Sequence, residues 1–139
     1  MNEKEFNAFL SQLFGGIVNG DPNEDNYKEI KKLDEMLTEA EIPHDLNRHM
    51  AGGYQLVYYG KKGKPVAPAG HIYGAGYGAV CSAIESPMSY GSENDLIEIQ
   101  GLMTREEYEK TGSSVLGNLT AEDVFNRIKK HWENDKGEE

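Results

Sequence analysis

The spacing of apolar positions divides the chain into a helical start, a strand-forming middle and a helical end. Phe6, Phe9, Leu10, Leu13 and Phe14 share one helical face, which predicts a first helix from about Glu3 to Phe14, ended by Gly15-Gly16. A second helix has clear start chemistry: Asp21 as N-cap, Pro22 at the first helical position and Glu24 at the capping-box position. Its apolar stripe is Tyr27, Ile30, Leu33, Met36, Leu37 and Ala40, and Pro43 stops it.

The period then shortens to that of a strand. Tyr54-Gln55-Leu56-Val57-Tyr58-Tyr59 is aromatic and β-branched, entered by Gly52-Gly53 and left by Gly60-Lys61-Lys62-Gly63. His44 to Met50 is its expected partner across a short glycine turn. Ala79 to Glu85 and Leu96 to Gln100 are the next strands, whereas Gly70 to Gly78 is too rich in glycine to predict one. Thr104 and Glu107 form a capping box for a short helix through Lys110, followed by a loop over 111–114. The last helix begins at Thr120, with Asp123 at the capping-box position, and buries Val124, Phe125, Ile128 and Trp132. Its C-terminus carries Lys129, Lys130 and His131, cations that complement the helix dipole, and the tail from Asn134 is polar. With no repeat and no linker, residues 1–139 form one domain. The expected class is α+β: two N-terminal helices, an antiparallel sheet of three to five strands, and one or two C-terminal helices covering a face.

Composition sharpens this picture at one place. The formal net charge is −10, yet residues 46–92 carry Arg48, Lys61, Lys62 and Lys64 against the single acid Glu85. Six of the eight tyrosines fall in the same stretch. Cations, aromatic faces and glycine backbone together suit a small anion with flat rings, such as a nucleotide. Overall acidity disfavours direct DNA binding, which needs a sizeable positive surface. The mean hydropathy of −0.68 and the absence of any apolar run near 20 residues argue against a transmembrane helix, so no membrane is expected. The acidic N-terminus does not look like a signal peptide, and one cysteine, Cys81, fits a reducing cytoplasm.

Candidate chemistry is sparse. The histidines His44, His49, His71 and His131 lack metal-ligand spacing, and a lone Cys81 in an apolar strand reads as a buried, inert thiol. The Glu106-Glu107 pair reads as solvated surface, and so does Arg127. No nucleophile elbow or assigned general base is visible, so the expected role is binding rather than catalysis, with no cofactor. The loop from Ser86 to Asp95 exceeds ordinary hairpin length, and long loops between good strands are often functional. In it, Ser89, Ser92 and Asn94 offer hydrogen bonds, Gly91 a close backbone approach and Tyr90 a stacking face. Asp95 offers an acceptor for a ribose hydroxyl or exocyclic amine, although Asn-Asp is also ordinary turn chemistry. Tyr77 is a second stacking candidate in the glycine-rich 70–78 segment, and Arg48 and Arg105 are candidates to neutralise phosphate.

Ser89-Tyr90-Gly91, then Leu96-Ile97-Glu98-Ile99-Gln100-Gly101-Leu102, then Leu119-Thr120-Ala121-Glu122-Asp123-Val124-Phe125 resemble small proteins encoded in phage and prophage accessory regions. Leu33-Asp34-Glu35-Met36-Leu37 through Ile42-Pro43-His44 resembles the second helix of the same group, so the likeness spans roughly residues 27–132. Within such proteins, the composition is similar to that of the Thoeris anti-defence sponges. Those are oligomeric α+β proteins that trap cyclic ADP-ribose signals without cleaving them. The resemblance implies sequestration of a cyclic nucleotide immune signal in the host cytoplasm by a homo-oligomer. It implies a ligand pocket in which Tyr90, Asn94, Asp95 and Arg105 take part. Two other functions are weighed beside it: an acidic inhibitor of a host nuclease, and an enzyme that degrades a nucleotide signal.

Overall fold

The computed structural model describes residues 2–5, 27–49, 52–72, 74, 76–87 and 94–137. Residues 3–5 are helical. The rest of the expected first helix, and the expected start of the second at Asp21 and Pro22, lie outside the described residues. Helix α1 (Lys28–Glu39) begins with Tyr27 at the N-cap position.

Five strands follow in a meander: β1 (Asp45–Arg48), β2 (Tyr54–Tyr58), β3 (Cys81–Glu85), β4 (Ile97–Gln100) and β5 (Val115–Leu119). Each pairs antiparallel with its sequence neighbour, giving the spatial order β1-β2-β3-β4-β5. Between β4 and β5 lies α2 (Arg105–Thr111), and α3 (Ala121–Asn134) closes the chain. The architecture is therefore α+β.

The register follows from side-chain alternation. On β3, Cys81, Ala83 and Glu85 are buried while Ser82 and Ile84 are less so. On β4, Ile97 and Ile99 are buried. Helix α1 lays Ile30, Leu33 and Leu37 onto β2 and β3, and packs beside α3, which contributes Ala121, Val124 and Ile128. The core lies between this helical layer and one sheet face. On the other face, Gln55 Nε2 donates to Ser82 Oγ at 2.9 Å.

Strand β5 was not legible from the chain, because Gly117 and Asn118 both disfavour strands. A bulge absorbs them: Ile97 faces Leu119 and Ile99 faces Leu116, so two residues oppose Glu98. Asn118 takes the left-handed conformation (φ 62°) that the bulge demands, which asparagine tolerates better than most residues.

Candidate ligand-binding cleft

One end of the sheet gathers three chain segments. The β2–β3 connection leaves at Gly60 and returns at Val80, the 101–104 turn leads into α2, and the C-terminal end of α3 arrives beside both. The junction is tight, since a Cβ on Gly101 (φ 96°) would sit 2.1 Å from the Val80 carbonyl oxygen.

Arg127 locks the turn to the helix. Its Nη1 donates to the Leu102 carbonyl oxygen at 3.0 Å and to Glu107 Oε1 at 2.6 Å, and Nη2 donates to Glu107 Oε2. Glu107 is also the third residue of α2. It accepts from the Thr104 N–H at 2.9 Å, while Thr104 Oγ1 accepts from the Glu107 N–H at 3.1 Å, completing the expected capping box. The Arg127 guanidinium holds the Glu107 carboxyl down at about 2. The expectation that Glu107 and Arg127 are both solvated surface is thus corrected. They form a half-buried, two-pronged ion pair across 20 residues of sequence.

His131 is fixed from below. The Tyr58 hydroxyl lies 2.7 Å from His131 Nδ1, and the rings meet edge to face at 5.4 Å. Tyr58 is fully buried, and burial, followed by the charge of Asp135, pushes its phenol up to about 12. The phenol keeps its proton, and where it donates that proton to Nδ1 the imidazole carries its hydrogen on Nε2. Asp135 in turn accepts from the Lys61 N–H at 2.8 Å, and Lys61 Nζ lies 5.1 Å from the Trp132 ring centre. Gly60 (φ 73°) permits this closeness, because a Cβ there would lie 2.6 Å from Asp135 Oδ2.

Between the 102–104 turn and α3 opens a cleft of about 780 Å³. Its lining includes Met103, Asp123, Asn126, Arg127, Lys130, His131, Asp135 and Lys136. That volume falls in the range typical of small-molecule sites. The cleft offers the cations Lys130 and Lys136, the carboxylates Asp123 and Asp135, the Asn126 amide and a positioned imidazole, with Leu102 and Met103 as its apolar lining.

A second cluster of carboxyl groups serves the fold. Asp95 Oδ1 accepts from the N–H groups of Lys28 (2.9 Å) and Glu29 (3.4 Å), and Glu85 Oε1 accepts from that of Ile30 (3.1 Å). Glu85 of β3 and Asp95 of the turn before β4 therefore cap the N-terminus of α1, and Glu29 Oε1 in turn accepts from the Ala121 N–H of α3 at 2.9 Å. Glu85 is completely buried, and burial, helped by its hydrogen bond with Asp95, raises it to about 9. Its Oε2 has no hydrogen-bond partner among the described residues. Burial and the neighbouring Asp95 carboxyl both favour the protonated form of Glu85. With no exposure, Glu85 has no access to a substrate.

The residues nominated from sequence lie apart from the cleft. Arg48, at the end of edge strand β1, donates to the Tyr54 hydroxyl at 3.1 Å and lies 5.1 Å from the ring centre, with Lys31 Nζ also 5.2 Å from it. Tyr77 is half-exposed on the β2–β3 connection. Asn94 is exposed, and Asp95 (φ 55°) caps α1. Arg105 is exposed and pairs with Glu109 at 3.1 Å. Ser89, Tyr90, Gly91 and Ser92 lie outside the described residues. None of the described nominees lines the cleft. Cys81 is buried as expected, its thiol pushed up to about 12 by burial. Among the described residues no three His, Cys, Asp or Glu side chains could hold a metal ion, and no helix is long and apolar enough to cross a membrane.

Sequence reasoning assigned Lys130 and His131 to helix-dipole chemistry and overlooked the cleft. One signal was available. His131 falls three residues after Ile128 and seven after Val124, on the apolar stripe, where a polar ring needs a buried partner. Compared with protein-family models, curated proteins and solved structures, the chain matches none.

Proposed function

We propose that this protein binds a small anionic, nucleotide-like ligand in the cleft beside α3 and holds it without converting it. The observation that carries this reading is the cleft itself. It has about 780 Å³ of space lined by Lys130, Lys136, Asn126 and an imidazole oriented by Tyr58. Lys130 and Lys136 would meet phosphate, His131 Nε2–H would donate to an anionic or carbonyl oxygen, and Met103 would lie against a flat ring. In this reading the ligand is a cyclic nucleotide immune signal of the cyclic ADP-ribose type. The protein would be a phage anti-defence factor that sequesters it in the host cytoplasm, as the resemblance of the 89–125 segments suggests.

The purified protein is incubated with cyclic ADP-ribose isomers and with cyclic di- and trinucleotides. Thermal shift is then measured, and the ligand is recovered after heat denaturation. Stabilisation with release of intact ligand, lost in Lys130→Ala and His131→Ala, is the expected result. Altered ligand would make the protein an enzyme. No shift with any of them would sink the binding reading and favour an acidic inhibitor, to be sought by pull-down with basic nucleases.

A further inference from the structure

Some polar groups that line the cleft are committed to the fold and others are free. Arg127 gives its guanidinium to Glu107 and to the Leu102 carbonyl oxygen. Asp135 commits both carboxylate oxygens to backbone: Oδ2 accepts from the Lys61 N–H at 2.8 Å and Oδ1 from the Gly137 N–H at 2.9 Å.

Asp123 is different. Its spacing from Thr120 predicts a capping box, and on α2 the same spacing closes one, with Glu107 Oε1 accepting from the Thr104 N–H. On α3 only half of the box forms. Thr120 Oγ1 accepts from the Asp123 N–H at 3.2 Å, and the Asp123 carboxylate does not reach back. Arg127, one turn further along and the usual i,i+4 partner for an acid, is held by Glu107. Among the described residues the Asp123 carboxylate therefore makes no hydrogen bond or ion pair, and it lines the cleft instead. An ionised carboxylate only accepts, so beside an anion it is repulsive unless the ligand brings it a donor.

The cleft is also ordered along its length. On α3, Asp123 and Lys130 stand seven residues apart, about 10 Å along the axis at 1.5 Å per residue. His131 and Lys136 follow Lys130 towards the C-terminus. Between these ends, the bond from Arg127 to the Leu102 carbonyl oxygen sets Leu102 and Met103 against the middle of the groove. Arg127 and Glu107 neutralise each other there. The lining thus runs from a free acid, past an apolar and electrically balanced middle, to cations. A nucleotide has the same order: amine donors on the base edge, then flat ring and sugar, then phosphate.

We propose that the cleft takes a nucleotide lengthwise, with phosphate at Lys130, His131 and Lys136 and the exocyclic amine of the base at Asp123, so that Asp123 selects bases that present a donor. This placement rests on the binding reading above and adds to it a direction and a choice of base. An acid in the first turn also complements the helix dipole, but a role confined to the dipole gives no base preference.

Titration calorimetry on the full chain at low salt compares adenosine 5′-diphosphate, purine riboside 5′-diphosphate and pyrophosphate. The second differs from the first only in lacking the amine, and the third has no base. The wild type binds the adenosine compound about tenfold more tightly than the purine riboside, the worth of one hydrogen bond to a charged acceptor. In Asp123→Ala the two nucleotides bind within about twofold of each other, while pyrophosphate binds no more weakly than to the wild type. A thermal melt confirms that the variant folds, since the Thr120 cap does not use the replaced side chain. Equal affinities for the two nucleotides in the wild type overturn the proposal and leave the binding reading standing. So does an Asp123→Ala variant that keeps the preference, or one that binds all three compounds more tightly by the same factor, which would make Asp123 a repulsive neighbour only. If none of the three binds the wild type, the binding reading itself fails, and this placement with it.

Discussion

The Glu85 carboxyl accepts the Ile30 N–H at 3.1 Å, so a completely buried acid of the sheet terminates a helix 55 residues away in sequence. Its folded value of about 9 stands far above the ordinary 4.5, and the folded state therefore favours the protonated form. That contribution is fully present below pH 4.5 and is lost as pH rises through about 9. Within this window the wild type loses up to about 1.4 kcal/mol per pH unit through this group. Glu85→Gln, neutral and of similar shape, should flatten that slope in denaturant melts at pH 6 to 9. An unchanged slope would show that Glu85 is not the titrating group.

Glu107 titrates in the opposite sense. Arg127 holds it at about 2, so its contribution is present above pH 4.5 and is lost as pH falls towards 2. Glu107→Gln should cost about 1–2 kcal/mol at neutral pH, allowing for water at the rim of the pair. It should also weaken the acid dependence of stability between those limits. Equal acid denaturation midpoints for wild type and variant would count against the assignment.

The Tyr58–His131 bond sets a tautomer, which nuclear magnetic resonance can read directly. The His131 ring nitrogens of the neutral wild type should report hydrogen on Nε2. In Tyr58→Phe that preference should relax into a mixture, with a loss of about 1 kcal/mol of stability. Hydrogen on Nδ1 in the wild type would reverse the donor direction assigned here.

Gly101 and Gly63 make a matched pair. Both have positive φ (96° and 81°), but a Cβ at Gly101 meets a carbonyl oxygen at 2.1 Å, whereas at Gly63 nothing lies within 4 Å. Gly63→Ala should cost about 1 kcal/mol, from backbone conformation alone. Gly101→Ala should cost roughly 3 kcal/mol or more, because backbone must move. Comparable losses in thermal melts would mean that the β3–α2 junction is looser than its geometry.

Much of the scaffold was readable in order along the chain. The stripe Ile30, Leu33, Leu37 and the alternation around Leu56, Ala83 and Ile97 identified the buried faces. The Thr104–Glu107 and Thr120–Asp123 spacings marked two helix starts. The site was far less readable. Asp95 carries an acceptor that suits a ribose as well as a helix N-terminus, and only the position of α1 assigns it to Lys28 and Glu29. Arg127 and Glu107 each look like surface residues in their own helices, and the pairing exists only because α2 folds back across α3.

The sequence by itself determined the elements whose cause is local: caps, apolar periods and glycine turns such as the one that joins β1 to β2. These depend on interactions within a few residues, and composition along a short window encodes them. Only the tertiary structure decided which carboxylates are buried, which helix they cap, and where a cleft opens between α3 and the 102–104 turn. Those outcomes depend on long-range juxtaposition, such as Glu85 with Ile30 or Tyr58 with His131, and on the burial that juxtaposition creates. Burial and partner set the ionisation of each group, so the chemistry of the same side chain changes with where the fold puts it.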